Sequence, residues 1–181
     1  MRRLLLVFLA LSGLAFAPAS ISLPRGNADF RLGWARSQVD SALAARGVTP
    51  QTAGADFITT SGETPEVEYV EYSFLPAPFG SPLLWRVIYG YRVPYDHTAF
   101  ESARGTLLGD LGQPNDEHHA DPENGDVVDK LTWVDALTSV QLGARWTERQ
   151  DPGADRMLVT WIDRKLQKVI SVVIKKRGEK K

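Results

Sequence analysis

The chain has 181 residues, with 21 Lys and Arg against 22 Asp and Glu, 43% hydrophobic residues and no cysteine. The near-neutral balance gives no electrostatic reason to expect nucleic acid or an anionic membrane as partner. The missing thiols exclude a disulfide framework, a cysteine nucleophile and a thiolate metal site.

The first element in chain order is an export signal. Arg2 and Arg3 form a positive head, Leu4 to Ala17 is a mostly apolar run, and Ala17-Pro18-Ala19 supplies small residues before a cut. Residues 1–19 are therefore expected to be a signal peptide cleaved before Ser20, since the apolar run is shorter than the roughly 20 residues a membrane-spanning helix needs. The remaining 162 residues suit one domain, 20–174, followed by a basic disordered tail, 175–181. With no cysteine for a lipid anchor, the expected address is the periplasm or the exterior, in soluble form.

Val39, Ala42, Leu43 and Arg46 fall at helical spacing, and Gly47 is a natural left-handed stop, so a helix is predicted over 35–46. Its start is weak, because Ala35 stands where Ser or Thr would cap. Thr49 to Glu66 is rich in Thr, Gly, Ser and Pro and reads as a loop with a short extended piece at Phe57-Ile58. Alternation of Val70, Tyr72 and Phe74, then of Leu83, Trp85, Val87, Tyr89, Tyr91 and Val93, predicts two strands joined by the turn-rich Pro76–Pro82 segment.

Thr98 to Glu101 reads as a capping box for a second helix with the stripe Phe100, Ala103, Leu107, Leu108 and Leu111, stopped by Gly112 and Pro114. Gly105 and Gly109 inside it suggest close packing on their side. Strands at Val127–Val134, Val140–Trp146 and Arg156–Ile162 follow, the last after a turn at Asp151-Pro152-Gly153. In the final segment Asp163 caps a candidate helix with the stripe Leu166, Val169, Ile170 and Val173, although Val169–Ile174 is β-branched enough to be a strand. The expected class is α+β: an antiparallel sheet of about five strands with two or three helices on one face, built as a degenerate helix-plus-strands repeat.

The stretch Leu32-Gly33-Trp34-Ala35-Arg36-Ser37-Gln38-Val39-Asp40-Ser41-Ala42-Leu43 resembles the "L-G-M-T-x-x-x-V-x-x-x-L-G" opening of SmpA/OmlA-type envelope proteins, and is similar to domains with the fold of the β-lactamase inhibitor protein. Leu111-Gly112-Gln113-Pro114 resembles their "L-G-x-P" helix ending. The resemblance implies a helical pair on an antiparallel sheet and action through protein–protein contact, with no catalytic residues to carry over. This chain has no lipidated cysteine and has Ala35 where Thr is usual.

Three constellations bear on chemistry. Asn115 to Asp126 sets His118 and His119 among carboxylates, which makes them candidate metal ligands, yet adjacent side chains diverge and neither a His-Glu-x-x-His nor a calcium-loop pattern is present, so a solvated acidic loop is the expectation. His97 lies between Asp96 and Thr98 at the start of a helix, an exposed polar position more than a catalytic one. The aromatic residues are the third. Trp85, Trp133, Trp146 and Trp161 are expected in the core or on a sheet face, whereas Trp34, Tyr69, Arg86, Tyr89 and Tyr91 are the candidate binding residues of an aromatic sheet face.

No Gly-x-Ser-x-Gly elbow or phosphate loop supports an enzyme, and no cofactor is expected. The reading is an exported non-enzymatic protein that binds a protein or envelope component. Its alternatives are an envelope hydrolase or metal-dependent enzyme using the His118/His119 loop, and a small-ligand carrier using the aromatic face.

Overall fold

A computed structural model describes residues 22–76, 81–92, 97–120, 127–146 and 156–178. The expected signal segment, the Asp151-Pro152-Gly153 turn and residues 179–181 of the basic tail lie outside the described residues.

The first helix, α1 (Arg36–Ala45), starts without a side-chain cap at Ala35. The Gln38 side chain compensates from within by accepting the Ala35 N–H at 2.8 Å. At the other end Gly47, at φ +71°, lets its own N–H reach Ala44 O at 3.0 Å while the Val48 N–H reaches Leu43 O at 2.9 Å. That pair of bonds is the Schellman stop, which a residue with a Cβ adopts only under strain.

The sequence hides three strands. After α1 come β1 (Pro50–Ala53), β2 (Phe57–Ser61), β3 (Val67–Phe74) and β4 (Leu84–Tyr91), and after the second helix, α2 (His97–Leu111), come β5 (Asp116–Ala120), β6 (Val127–Val134), β7 (Thr138–Trp146) and β8 (Arg156–Asp163). The sheet order is β1-β2-β3-β4-β8-β7-β6-β5, antiparallel throughout. Eight strands replace the expected sheet of about five. The supposed loop 49–66 contains β1 and β2, and the supposed acidic loop contains β5. β1 and β5 are the two edges. All four residues of β1 are exposed, as are the first four of β5, so neither shows the period-two burial that betrays a strand in sequence. The edges carry Pro50 and the charged Asp116 and Glu117, residues that blunt pairing with another chain.

Element order is thus helix and four strands, twice, with β4 and β8 pairing at the seam. Directly paired residues share a face. Tyr72, Val87, Trp161, Val140 and Trp133 form one row across five strands, and Val70, Tyr89, Val159, Leu142 and Leu131 form the next. This inner face is covered by α1 and α2, whose Val39, Leu43, Phe100, Leu107 and Leu111 join the same core. Trp133 is 1% exposed, and its indole N–H is satisfied by Gly112 O at 2.8 Å.

Several finer expectations need correction. Thr98 is the second residue of α2 and not its cap, and Glu101 turns to Arg104 at 3.4 Å. A Cβ added at Gly105 or Gly109 would meet nothing within 4 Å, so neither glycine marks close packing. Trp85 is half-buried on β4 under the Arg86 guanidinium, 4.8 Å above its ring, and the Trp146 side chain lies outside the described residues. The last segment is a helix, α3 (Arg164–Gly178), which packs against β4 and β8 and includes residues 175–178 of the basic run. Asp163 Oδ1 caps it, accepting the N–H groups of Lys165 at 2.9 Å and Leu166 at 3.0 Å.

Candidate functional site

Tyr89 and Tyr91 follow Val87 on the inner face, where β4 pairs with Val159 and Met157 of β8. Here α2 stands away from the sheet, because its near edge carries Ala99, Ser102, Ala103 and Thr106. Small side chains cannot fill the gap. A cleft of about 830 Å³ results, with Tyr89, Tyr91, Val159 and Trp161 as its floor. Asn27 and the Thr64–Val67 turn close its far side. Glu66, Arg92 and Asp110 put charge on the rim, so the arrangement is an aromatic base with polar margins, the usual chemistry of a recognition pocket.

The floor is held rigidly. Phe30 meets Trp161 edge-on at 5.8 Å and Tyr89 in a tilted contact at 6.3 Å. The Tyr89 hydroxyl accepts a hydrogen bond from Asn27 Nδ2 at 3.0 Å. Burial raises the pKa of Tyr89 strongly, against the Asn27 bond that lowers it. Burial raises that of Tyr91 too, reinforced by the charge of Glu66. Both phenols stay neutral at physiological pH and serve as aromatic surface and hydrogen-bonding groups, not as bases.

The other candidate residues lie elsewhere. Tyr69 and Arg86 are on the outer face, where the Tyr69 ring lies over Gly90. Arg86 is committed to structure, pairing with Glu71 at 2.9 Å and reaching Ser73 Oγ at 3.2 Å. Trp34, half-buried in the turn before α1, borders a surface recess with Arg25, Phe30 and Arg31. Of the five aromatic and arginine candidates, then, only Tyr89 and Tyr91 share a site.

The two adjacent histidines part company. On β5 the period of two sends His119 to the inner face, in close contact with Asp129, while His118 pairs with Lys130 on the outer face. Among the described residues no group of three or more His, Asp and Glu is placed to hold a metal ion. The His97 side chain lies outside the described residues. Sequence reading missed Asn27, Glu66, Ser102 and Thr106 as cleft residues. A signal existed in α2, where Thr98, Ser102 and Thr106 recur every fourth position and so share one edge of the helix. No helix among the described residues is long and apolar enough to cross a membrane. The chain matches no protein-family model, no curated protein and no solved structure.

Proposed function

We propose that the protein is exported to the periplasm or the cell exterior and works there as a non-enzymatic binding protein, taking part of a protein or envelope component into the α2 cleft. The observation that carries this reading is the cleft itself, in which a rigid floor of Tyr89, Tyr91 and Trp161 stays reachable because the facing helix edge is built from small residues. Aromatic side chains in a preformed concavity offer large contact area at little entropic cost. The signal-like N-terminus and the resemblance to envelope proteins that act by contact support the same reading.

A photo-cross-linking amino acid at Thr106, exposed on the cleft wall, tests it in cells that produce the protein. Discrete adducts are expected from Thr106 and none from the exposed Ser171 on α3, and Ser102→Trp should abolish them. Equal labelling at both positions would sink the proposal. The volume of the cleft also favours a second reading, a small-ligand carrier. In that case native mass spectrometry of protein purified from its own compartment would show a small-molecule adduct, lost in Ser102→Trp, and Thr106 would yield no protein adduct.

A further inference from the structure

The charge that the whole chain balances is segregated in α3. This helix holds six of the 21 Lys and Arg residues and none of the 22 Asp and Glu. The strands it packs against, β4 and β8, offer a single acid, Asp163. Both oxygens of that acid are engaged, one by the N–H groups of Lys165 and Leu166 and the other by Arg25.

Leu166 and Ile170 are half-buried and give α3 one side turned to the protein. Val169 and Val172, 39% and 54% exposed, lie on another side, and they are two of the three large apolar residues left exposed among the described residues. Lys165 precedes Val169 by four residues and Val172 by seven, and Lys168 precedes Val172 by four, so both lysines share the valines' side of the helix. Both are exposed, and among the described residues neither forms an ion pair.

These residues do not serve the helix itself. A cation in the first turn opposes the helix dipole, and no acid stands there to compensate Lys165. Its neighbour Arg164 at least donates to the Asp135 carbonyl oxygen. Valines left in water forgo burial and lower helix propensity as well. Together, however, the four suit a lipid interface: the valines gain by leaving water, and lysine stems can follow them while the ammonium groups stay among headgroup phosphates. With 15 residues against the roughly 20 that a membrane span needs, α3 can only lie along a bilayer.

We propose that this side of α3 docks the protein on an anionic lipid surface, with Val169 and Val172 entering the headgroup boundary and Lys165 and Lys168 meeting the phosphates. A soluble polyanion would satisfy the lysines and leave the valines in water, which is why the lipid surface is the better match. The docking does not rest on the function proposed for the α2 cleft.

The chain has no cysteine, so Val172→Cys provides a single attachment point for an environment-sensitive fluorophore. Its emission should shift to the blue on phosphatidylglycerol vesicles and be quenched by lipids brominated in the acyl chain, with no change on phosphatidylcholine vesicles. The same label at Gly105→Cys, exposed on α2, should not respond. In the labelled chain, Lys165→Gln with Lys168→Gln should weaken the apparent affinity by about tenfold or more, and Val169→Ser, which keeps every charge, by about threefold. All of these positions are exposed, and unchanged thermal melts verify that each variant is folded. No shift on the anionic vesicles, equal shifts on both lipids, a shift without quenching, or an undiminished response in either variant overturns the proposal. So does an equal shift with soluble polyphosphate, which would assign the helix to a polyanion, or a shift on raising the protein concentration alone, which would assign it to a second copy of the chain.

Discussion

Asp135 shows how one carboxylate organises a corner of the chain. Its Oδ1 accepts the N–H groups of Leu137 at 2.7 Å and Thr138 at 2.6 Å, which shapes the β6–β7 turn, and its Oδ2 accepts the N–H of Leu23 at 2.7 Å. Burial opposes its ionisation, yet these three bonds and the charge of Arg164 outweigh burial and hold its pKa below the ordinary value. With the folded pKa below the unfolded one of about 3.9, the stabilisation is complete above that pH and is lost as pH falls through the folded value. Asp135→Asn should therefore be less stable than the parent at pH 7, and urea melts should show the gap narrowing in acid. Tyr89 works in the opposite sense. Its raised pKa gives stability that is complete below about 10, the unfolded value, and lost as pH rises through the folded one. Tyr89→Phe should flatten part of the alkaline fall in stability, and the tyrosinate absorbance of the parent should include a late-titrating residue that the variant lacks.

At the scale of elements, most strands that bury one face were legible in sequence and the exposed edges were not; β2 is the exception, because one of its two buried positions is a threonine, Thr60, so only Phe57-Ile58 reads as extended. β6 falls on the predicted residues, Val127–Val134, and β8 falls within one residue of the predicted span, because Leu131 and Trp133, or Met157 and Val159, alternate with less buried neighbours. In β1 and β5 exposure on both faces erases that alternation, and only their pairing with β2 and β6 makes them strands. The cleft was half legible. Tyr89 and Tyr91 stand out by type, but Asn27 and Glu66 reach it only through tertiary folding. α2 combines two kinds of surface that mutation should separate. Leu107 belongs to the core but also borders the cleft, where water can enter a vacated space, so Leu107→Ala should fall near the low end of core truncations, about 2 kcal/mol. Trp133→Ala, at 1% exposure with its indole bond lost as well, should cost about 3–5 kcal/mol. On the solvent side Gly105→Ala and Gly109→Ala should each stabilise by about 0.5–1 kcal/mol, since the added methyl groups meet no neighbour. Denaturant melts of the four variants rank these effects. A Leu107→Ala loss equal to that of Trp133→Ala would show that the cleft wall is sealed from water.

For the whole molecule, the two helix-plus-strands halves share one sheet, and the segment before α1 fastens them a second time. Phe30 and Leu32 pack into the core, and the Gly33 N–H bonds Leu84 O at 2.8 Å, which ties this segment to the first half. Upstream, Leu23 bonds Asp135 and Arg25 pairs with Asp163, both in the second half. Asp163 is 3% exposed and serves two elements at once, one oxygen capping α3 and the other accepting from Arg25. Its removal should therefore act at both. Losing the cap costs about 1 kcal/mol and losing a charged hydrogen bond about 1.5–3 kcal/mol, so Asp163→Ala should cost about 2–4 kcal/mol. Arg25→Ala should cost less, because the carboxylate keeps its bonds to Lys165 and Leu166. A double-mutant cycle separates the parts, since the coupling energy reports the Arg25 pair while the excess loss in Asp163→Ala reports the cap. Helix content lost in Asp163→Ala but kept in Arg25→Ala is the accompanying spectroscopic expectation. Zero coupling between the two residues would mean that the leading segment does not fasten the halves through Asp163, leaving the β4–β8 pairing and the core to join them.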